Sequence, residues 1–144
     1  GTRAAVPLLA ERAAKWTGGA SIINLSSMAG LVGAAWAACY NASKGAVRLF
    51  SKGCALEFAP ARIRVNSVHP GIIETRMGAE VVHGISTLSG LGENEARATA
   101  AATHPLGHMG QPGNIADAIV FLASDKAAFM TGSEMVVDGG VTAG

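Results

Sequence analysis

Apolar positions follow a helical period in some stretches of the chain and form short continuous runs in others. Residues 4–16 are rich in Ala, Leu and charge, which predicts a helix that stops at Thr17–Gly19. The β-branched run Ser21–Leu25 predicts a strand that is buried on both faces. A second helical pattern, from about Cys39 to Phe58, ends before Pro60 because proline disfavours helix in the preceding residue.

The same alternation continues in the second half of the chain. The run Arg62–Val68 predicts a strand closed by Pro70-Gly71, with His69 as a packing or hydrogen-bonding residue at its end. Residues 76–110 lack a sustained period, so we expect an irregular segment with one short helix near Glu93–Ala102.

The end of the chain completes this pattern. Ile115, Ile119 and Leu122 stand at helical spacing and predict a last helix, and Glu134–Val137 predicts a last strand. Strands that alternate with helices indicate a parallel sheet with right-handed crossovers, so the sequence predicts an α/β fold. The 144 residues suit a single domain with one core.

Composition and charge exclude several classes of function. Hydrophobic residues make up 49% and charged residues 15% of the chain, which indicates that some of its surface is covered by a partner or by further chain. The net charge is +1 and no basic run interleaves with aromatics, so we expect no nucleic-acid partner. The longest nearly uncharged apolar stretch, Met28–Tyr40, is shorter than the roughly 20 residues of a membrane span, so we expect no membrane partner.

Cysteines and histidines add little chemistry. Cys39 and Cys54 form neither a metal-type pair nor a disulfide framework, which favours a reducing, cytoplasmic location, and Cys39 is expected as a small buried hydrophobe. His104 and His108 stand four apart, but a proline and a glycine between them argue against the helix that a two-histidine metal site needs. We therefore expect no metal.

The candidate chemistry lies at Tyr40 and Lys44, which are four residues apart and so share one helix face. An ammonium beside a phenol stabilises phenolate, so Tyr40 can exchange a proton with an alcohol or a ketone. Ser27 follows the predicted strand Ser21–Leu25, where parallel sheets bind ligands, and its hydroxyl can hold the same substrate oxygen. Taken alone, a tyrosine four residues before a lysine is more often a packing residue beside a solvated charge.

Four segments, taken in order, give the pair its context. They are GASIINLSSMAGLVG, YNASKGAV, RIRVNSVHPGIIETRM and GQPGNIADAIVFLASDKAAFMTGSEMVVDGG. Together they resemble the C-terminal portion of the short-chain dehydrogenase/reductase family, including a serine thirteen residues before the tyrosine, as Ser27 stands before Tyr40. The resemblance implies a Rossmann-like, doubly wound parallel sheet and an enzyme that transfers a hydride between NAD or NADP and a secondary alcohol or ketone.

The resemblance also implies roles for individual residues. Tyr40 would be the general acid/base, Lys44 would assist it and bind the nicotinamide ribose, and Ser27 would orient the substrate oxygen.

The Pro70-Gly71 turn matches the family loop that faces the nicotinamide. By the same resemblance, Ile73 would contact the carboxamide through its backbone and Thr75 would reach the carboxamide or the phosphates. The alternative for Thr75 is a turn or helix cap, and the alternative for Ile73 is a packing residue.

The family's glycine-rich cofactor turn has no counterpart here, since the only Gly-x-Gly, Gly90-Leu91-Gly92, follows no strand. We therefore expect that roughly the first half of a family member is missing, which leaves NAD against NADP open. Without that half, the edge of Ser21–Leu25 would be exposed, and we expect the isolated chain to be poorly soluble or partly disordered.

Residues 76–110 correspond to the family's lid over the substrate. Six apolar side chains there predict a wall that favours a hydrophobic, cyclic or hydroxysteroid-like alcohol: Met77, Val81, Val82, Ile85, Leu88 and Leu91. One alternative is a 3-oxoacyl-thioester reductase, for which Arg62 and Arg64 are the only candidates for a carrier-binding patch. The other is a non-catalytic, dehydrogenase-like binding or scaffold protein. A homodimer or homotetramer is expected from the resemblance, with the dimer formed through helices 4–16 and 39–58.

Overall fold

The structure, a computed structural model, describes residues 1–144, and its elements follow the predicted order with one additional helix, Arg76–Ser89. It contains five α-helices and three β-strands: α1 Thr2–Ala13, β1 Ala20–Leu25, α2 Ala38–Phe58, β2 Ile63–Pro70, α3 Arg76–Ser89, α4 Glu93–Ala102, α5 Pro112–Ala123 and β3 Glu134–Val137. None of the helices combines the length and the apolar character that a membrane crossing requires.

The three strands form one parallel sheet in the order β1-β2-β3. Ala20 stands opposite Ile63 at one end of the β1–β2 pair, and Pro70 stands opposite Val137 at the far end of the β2–β3 pair. Because parallel neighbours need a crossover, α2 connects β1 to β2. The predicted α/β fold with a parallel sheet is therefore confirmed.

Burial differs between the strands. The first seven residues of β2 are buried, whereas no residue of β1 is, and Leu25 is half exposed. The prediction that Ser21–Leu25 is buried on both faces is therefore wrong. The reason is position, since β1 lies at the edge of the sheet and β2 has a neighbour on each side.

Helices cover both faces of the sheet. On one face, Ile63 and Val65 pack against α1 and α2 in a cluster completed by Ala13, Cys54 and Ala55. On the other face, Val68 packs against α5 in a second cluster with Ile115, Leu122 and Ala127. This two-sided cover is the doubly wound arrangement that was expected.

A buried arginine fastens α5 to β2. Arg64 is 7% exposed, and its guanidinium donates to the carbonyl oxygens of Gly18 (3.2 Å), Leu122 (2.9 Å) and Ser124 (3.2 Å). Burial lowers the pKa of Arg64, and the nearby Asp125 carboxylate opposes that effect. The arginine satisfies carbonyls at the C-terminus of α5, where the helix dipole favours a cation.

Residues 76–89 form a helix of 14 residues, so the expectation of an irregular segment there is wrong. The Thr75 hydroxyl caps the start of α3, and Gly90, with φ of 72°, ends the helix in the left-handed conformation. Two glycines inside α3, Gly78 and Gly84, weaken its helical pattern in the sequence because glycine lowers helix propensity. Gly78 is needed for contact, since a Cβ there would lie 2.0 Å from the Ile73 carbonyl oxygen.

The apolar side chains of the expected lid face different ways. Val82 is buried in a small core shared by α3 and α4, and Ile85 packs against that core, which also contains Ala96, Ala100 and Met109. Met77, Val81 and Leu88 lie on another face of α3 and are exposed. A single wall of all six side chains is therefore not formed.

Candidate active site

The N-terminal turns of α2 carry the Tyr40–Lys44 pair. Lys44 Nζ lies 5.6 Å from the centroid of the Tyr40 ring and donates a hydrogen bond to the Leu25 carbonyl oxygen at 3.2 Å. Leu25 is the last residue of β1, so the ammonium links the tyrosine to the carboxyl end of a strand. The tyrosine side chain remains 39% exposed and is open to a ligand. This arrangement agrees with a phenol that exchanges protons beside a fixed positive charge.

Two adjacent serines follow β1 and have different partners. Ser26 Oγ donates to the Lys44 carbonyl oxygen at 2.7 Å and so ties the strand end to α2. Ser27 Oγ accepts a hydrogen bond from the Ala29 amide at 3.1 Å and caps the short 3₁₀ turn 28–30. The chain offers no acceptor for the Ser27 hydroxyl hydrogen. Ser27 is therefore the serine that keeps a donor for a ligand.

Close backbone contact brings the serine turn onto α2. A Cβ added at Gly30 would lie 2.8 Å from the backbone carbon and oxygen of Lys44 and 2.6 Å from Ser26 Oγ. Only glycine allows the turn to approach the helix this closely. The structure thus brings the turn that contains Ser27 against the helix that carries Tyr40 and Lys44.

His69 lies behind the serine turn. Its ring is fully buried, with Nδ1 3.0 Å from the Ser27 carbonyl oxygen and Nε2 2.8 Å from Ser67 Oγ. Burial lowers the pKa of His69 more than the Ser27 carbonyl and Glu134 raise it, and the cations of Arg48 and Lys52 lower it further. The sequence predicted hydrogen bonding at this strand end, and the structure supplies the partners.

The predicted cofactor loop leaves β2 at Pro70. The Gly71 amide donates to the Val137 carbonyl oxygen at 3.0 Å, which joins the loop to the end of β3. Thr75 Oγ1 accepts from the Gly78 amide and donates to the Ile73 carbonyl oxygen, both at 3.2 Å. Ile73 forms an isolated bridge with Gly110 and packs against the α5 cluster. The helix-cap and packing alternatives for these two residues are both present in the structure.

His104 holds the same loop from the opposite side. The ring is buried, Nδ1 lies 3.0 Å from the Ala100 carbonyl oxygen, and Nε2 accepts from the Ile72 amide at 3.0 Å. A cavity of about 200 Å³ lies between this ring, the loop and Val137–Gly139. From the sequence, His104 is only one residue of the expected lid segment 76–110, because a partner 32 positions away leaves no local pattern.

An ion-pair cluster joins β3 to α2. Glu134 contacts Arg48 at 2.8 Å and Lys52 at 2.9 Å. Hydrogen bonds from Arg48, and to a lesser degree from Lys52, lower the pKa of Glu134 from 4.5 to about 2, although burial opposes them. These cations stand one and two turns after Lys44, so the cluster anchors the helix of the candidate site. Sequence reasoning did not find this cluster.

Two further residues test the sequence analysis at the site. Cys39 is exposed, so its expected burial is wrong; it lies in the first turn of α2, next to the exposed Tyr40. Asn24, which matches a polar strand position, donates from Nδ2 to Ser51 Oγ at 3.0 Å. It is a structural contact between β1 and α2.

The residues present fit the nicotinamide riboside half of a dinucleotide. Lys44 Nζ donates to one protein acceptor and retains hydrogens for ribose hydroxyls. At Gly71, a Cβ would lie 2.9 Å from Asp138 Cα and from His104 Nε2, so only glycine lets the loop pack this closely against the residues after β3 and His104. No glycine-rich phosphate turn follows a strand in this chain.

A parallel sheet with helices on both faces, and with polar candidate site residues at the carboxyl end of β1, defines a Rossmann-like α/β protein. A family model described as enoyl-(acyl carrier protein) reductase matches residues 1–142. The chain belongs to the short-chain dehydrogenase/reductase family, which confirms the resemblance carried by its four segments.

Known relatives agree with this assignment. The chain is 52% identical to the cyclopentanol dehydrogenase of Comamonas testosteroni over 122 residues, which cover 85% of this chain and 45% of that protein. It is 48% identical to the NADP-dependent (R)-specific alcohol dehydrogenase of Lentilactobacillus kefiri over 87% of this chain and 46% of that protein. The solved structure of actinorhodin polyketide ketoreductase with NADPH matches at a TM-score of 0.82 and 36% identity, over 86% of this chain and 48% of that chain. The chain spans about half the length of the curated relatives it matches.

Proposed function

We propose that this chain carries the catalytic residues of an NAD(P)-dependent oxidoreductase that interconverts a secondary alcohol and a ketone. The observation that carries the proposal is the position of Lys44 Nζ, which lies over the Tyr40 ring and is bonded to the end of β1. Ser27 follows that end and keeps its hydroxyl hydrogen available. Two groups suited to one substrate oxygen, Tyr40 and Ser27, and the ammonium that assists Tyr40 therefore belong to adjoining elements.

In the direction of ketone reduction, the Tyr40 hydroxyl gives its proton to the substrate oxygen, and in alcohol oxidation the phenolate takes it back. The Ser27 hydroxyl donates a hydrogen bond to that oxygen and fixes its position. The Lys44 ammonium stabilises the negative charge on Tyr40 after the proton has left. When bound, NAD(P)H would supply the hydride to the substrate carbon in reduction, and NAD(P)⁺ would accept it in oxidation.

The cofactor contacts that we propose are Lys44 to the nicotinamide ribose and the Pro70-Gly71 loop to the nicotinamide ring, with Ile73 and Thr75 at the carboxamide. Thr75 can cap α3 and contact the cofactor at the same time, because its hydroxyl oxygen has a second lone pair that can accept a further hydrogen bond. Either NAD or NADP agrees with these residues. The NADP-dependent alcohol dehydrogenase and the NADPH-bound ketoreductase among the relatives support NADP.

For the substrate we propose a hydrophobic, cyclic secondary alcohol or the corresponding ketone. Met77, Val81 and Leu88 form an exposed apolar stripe on α3, which follows the cofactor loop. Cyclopentanol dehydrogenase, at 52% identity, supports this class. The proposed lid over this substrate is the segment 76–110.

The thioester-reductase alternative lacks its basic patch. Arg64 is buried against three carbonyls. Arg62 donates to the carbonyls of Trp16 and Thr17 at 3.0 and 2.8 Å, in the loop after α1. Arg64 is not accessible to an acidic carrier, and Arg62 alone does not form a basic patch, so the alcohol/ketone proposal is favoured.

A second copy of the chain is the partner that we propose. Exposed apolar side chains on α1 and α2 support a homodimer or homotetramer: Leu8, Leu49, Phe50 and Leu56. Isolated side chains of this size are common on a surface, but four on two neighbouring helices resemble an interface. The free thiols of Cys39 and Cys54 support a cytoplasmic location.

The experiment that tests the function is cyclopentanol oxidation by the full-length protein, with NAD⁺ and NADP⁺ assayed separately by absorbance of the reduced cofactor. We expect turnover in the wild type and a loss of roughly 10²–10⁴-fold in Tyr40→Phe, because the proton-transfer group is gone. Cys39→Ala, one residue away and exposed, is the matched control and should keep its activity. A Tyr40→Phe protein as active as the wild type would refute the proposed chemistry. A wild type that binds NADPH but oxidises and reduces no substrate would favour the binding or scaffold alternative.

A further inference from the structure

A buried imidazole connects the serine turn to the strand that leads into the cofactor loop. His69 is 0% exposed, and its side chain contacts Ser27 through the backbone carbonyl and Ser67 through the hydroxyl. The backbones of the two segments also meet, since the Ser26 amide donates to the Val68 carbonyl oxygen at 2.9 Å. The His69 ring therefore adds a contact between these two segments beyond Leu25, the last residue of β1.

The partners determine the tautomer of this ring. A carbonyl oxygen only accepts, so Nδ1, at 3.0 Å from the Ser27 oxygen, carries the hydrogen. In the neutral ring Nε2 is then the acceptor, and the Ser67 hydroxyl donates to it at 2.8 Å. Every hydrogen-bonding group of His69 has a partner, which holds the ring in one orientation.

The Ser27 carbonyl is held from two sides. It accepts from His69 Nδ1 at 3.0 Å and from the Gly30 amide at 2.9 Å. The first bond comes from β2 and the second from within the turn itself. Of these two bonds, only the one from His69 links the Ser27 carbonyl to the sheet, because the Gly30 bond would survive a movement of the whole turn.

We propose that His69 is a positioning residue that holds the backbone of Ser27, and with it the serine hydroxyl, at a fixed place relative to the Pro70-Gly71 loop. The inference rests on the proposed function, in which Ser27 contacts the substrate oxygen and the loop faces the nicotinamide. His69 immediately precedes Pro70, so its bond to Ser27 links the serine turn directly to the start of the loop. Loss of its bond should misplace Ser27 without removing a group that contacts the substrate.

The surroundings agree with a neutral ring. Glu134 from β3 favours a proton on His69, whereas Arg48 and Lys52 from α2 and the burial of the ring oppose one. Because these cations also bind Glu134, its charge is compensated. A neutral ring keeps the donor at Nδ1 and the acceptor at Nε2 that the two contacts require.

Two amide substitutions in the full-length protein separate positioning from simple packing. The amide nitrogen of Asn lies as many bonds from the backbone as Nδ1, and that of Gln as many as Nε2. His69→Asn can keep the bond to the Ser27 carbonyl, whereas His69→Gln loses it and keeps the contact with Ser67. We expect His69→Gln to lower kcat for cyclopentanol oxidation by about 10- to 100-fold, with a nearly unchanged KM for the cofactor, because small misplacements of a reacting group have effects of this size. His69→Asn should restore most of kcat.

The outcomes are distinct. A kcat of the Gln variant equal to or above that of the Asn variant would overturn the inference, because Gln is closer to His in volume and packing alone would favour it. A wild type without turnover would instead reject the proposed function. The ring tautomer of the wild-type protein, read from its ¹⁵N NMR shifts, needs neither activity nor a variant that folds. A neutral ring protonated at Nδ1 supports the inference, and a hydrogen on Nε2 alone contradicts it.

Discussion

Ser26 and Ser27 have the same side chain and are both buried, yet their hydroxyls make different hydrogen bonds. Ser26 donates to the Lys44 carbonyl, whereas Ser27 accepts from Ala29 and keeps its hydrogen. At the scale of single residues, function depends on which hydrogen-bonding capacity the fold leaves unused. The same holds for Lys44, whose ammonium donates one hydrogen bond to the Leu25 carbonyl oxygen and keeps its other hydrogens available.

Alanine substitution should distinguish the two serines. Ser27→Ala should lower kcat by about 10²-fold or more, because an orienting donor is lost, and it should also lower the free energy of unfolding by about 1 kcal/mol, because the Ala29 amide loses its cap. Ser26→Ala should lower the free energy of unfolding by about 1–2 kcal/mol, since the Lys44 carbonyl loses its partner. Steady-state kinetics and urea unfolding of the full-length protein measure both. A larger kinetic defect in Ser26→Ala than in Ser27→Ala would contradict the assignment.

The Glu134 cluster predicts a pH-dependent contribution to stability. The pKa of Glu134 is about 2 in the folded protein against 4.5 ordinarily, so the ionised side chain stabilises the fold above about pH 4.5. That contribution is lost as the pH falls from 4.5 towards 2, because the folded state must then be protonated. In Glu134→Gln, urea unfolding should show a smaller loss of stability across this range than in the wild type. Glu80→Gln is the control, since Glu80 pairs with Arg76 on the surface. Parallel curves for wild type and Glu134→Gln would contradict the prediction.

At the scale of elements, the site depends on how closely the serine turn lies on α2. Gly30 permits this contact, and the Ser26–Lys44 bond maintains it. The Glu134 cluster then fixes the following turns of α2 to β3. The Tyr40–Lys44 pair is therefore placed by contacts that α2 makes at Lys44, Arg48 and Lys52.

Gly30→Ala should both destabilise the protein and reduce its activity. The new Cβ would lie 2.6–2.8 Å from Ser26 Oγ and the Lys44 backbone, so the turn must move away from the helix. We expect a loss of about 1–3 kcal/mol in the free energy of unfolding and a lower kcat for cyclopentanol. Gly84→Ala is the matched control, because no atom lies within 4 Å of its added Cβ and the change should stabilise α3 by about 0.5–1 kcal/mol. Similar effects at both glycines would show that the close contact is unimportant.

At the scale of the whole molecule, the exposed surface suits further protein contact. Leu49 and Leu56 on α2 are 68% and 82% exposed and stand two helical turns apart, on one face. Phe50 and Leu8 extend the apolar surface on α2 and α1. The open edge of β1 offers a second place for further chain.

The proposed oligomer predicts that charged side chains placed on this surface weaken the association. Leu49→Glu combined with Leu56→Glu should reduce the molar mass of the full-length protein in solution to that of a smaller oligomer or a monomer, because buried unpaired carboxylates oppose association. Light scattering coupled to size-exclusion chromatography measures the mass. Leu88→Glu, on α3 and equally exposed, should leave the mass unchanged. An unchanged mass in the double variant would place the interface elsewhere.

The sequence by itself determined the order of elements, the parallel α/β class and the family, because these depend on local periodicity and on motif spacing. The spacing of Ser27 from Tyr40 and of Tyr40 from Lys44 is a property of the chain alone. Local propensity failed where glycines interrupt a helix, as in α3, and where a strand's burial depends on its neighbours, as in β1.

Only the tertiary structure decided which polar groups meet. His69 with Ser27, His104 with Ile72, and Arg64 with the end of α5 join residues 32–60 positions apart, and no local pattern encodes such pairs. Glu134 and Arg48 are separated further still. Buried polar groups must find partners wherever the folded chain places them, so these contacts follow from the assembled sheet and helices and not from any one segment.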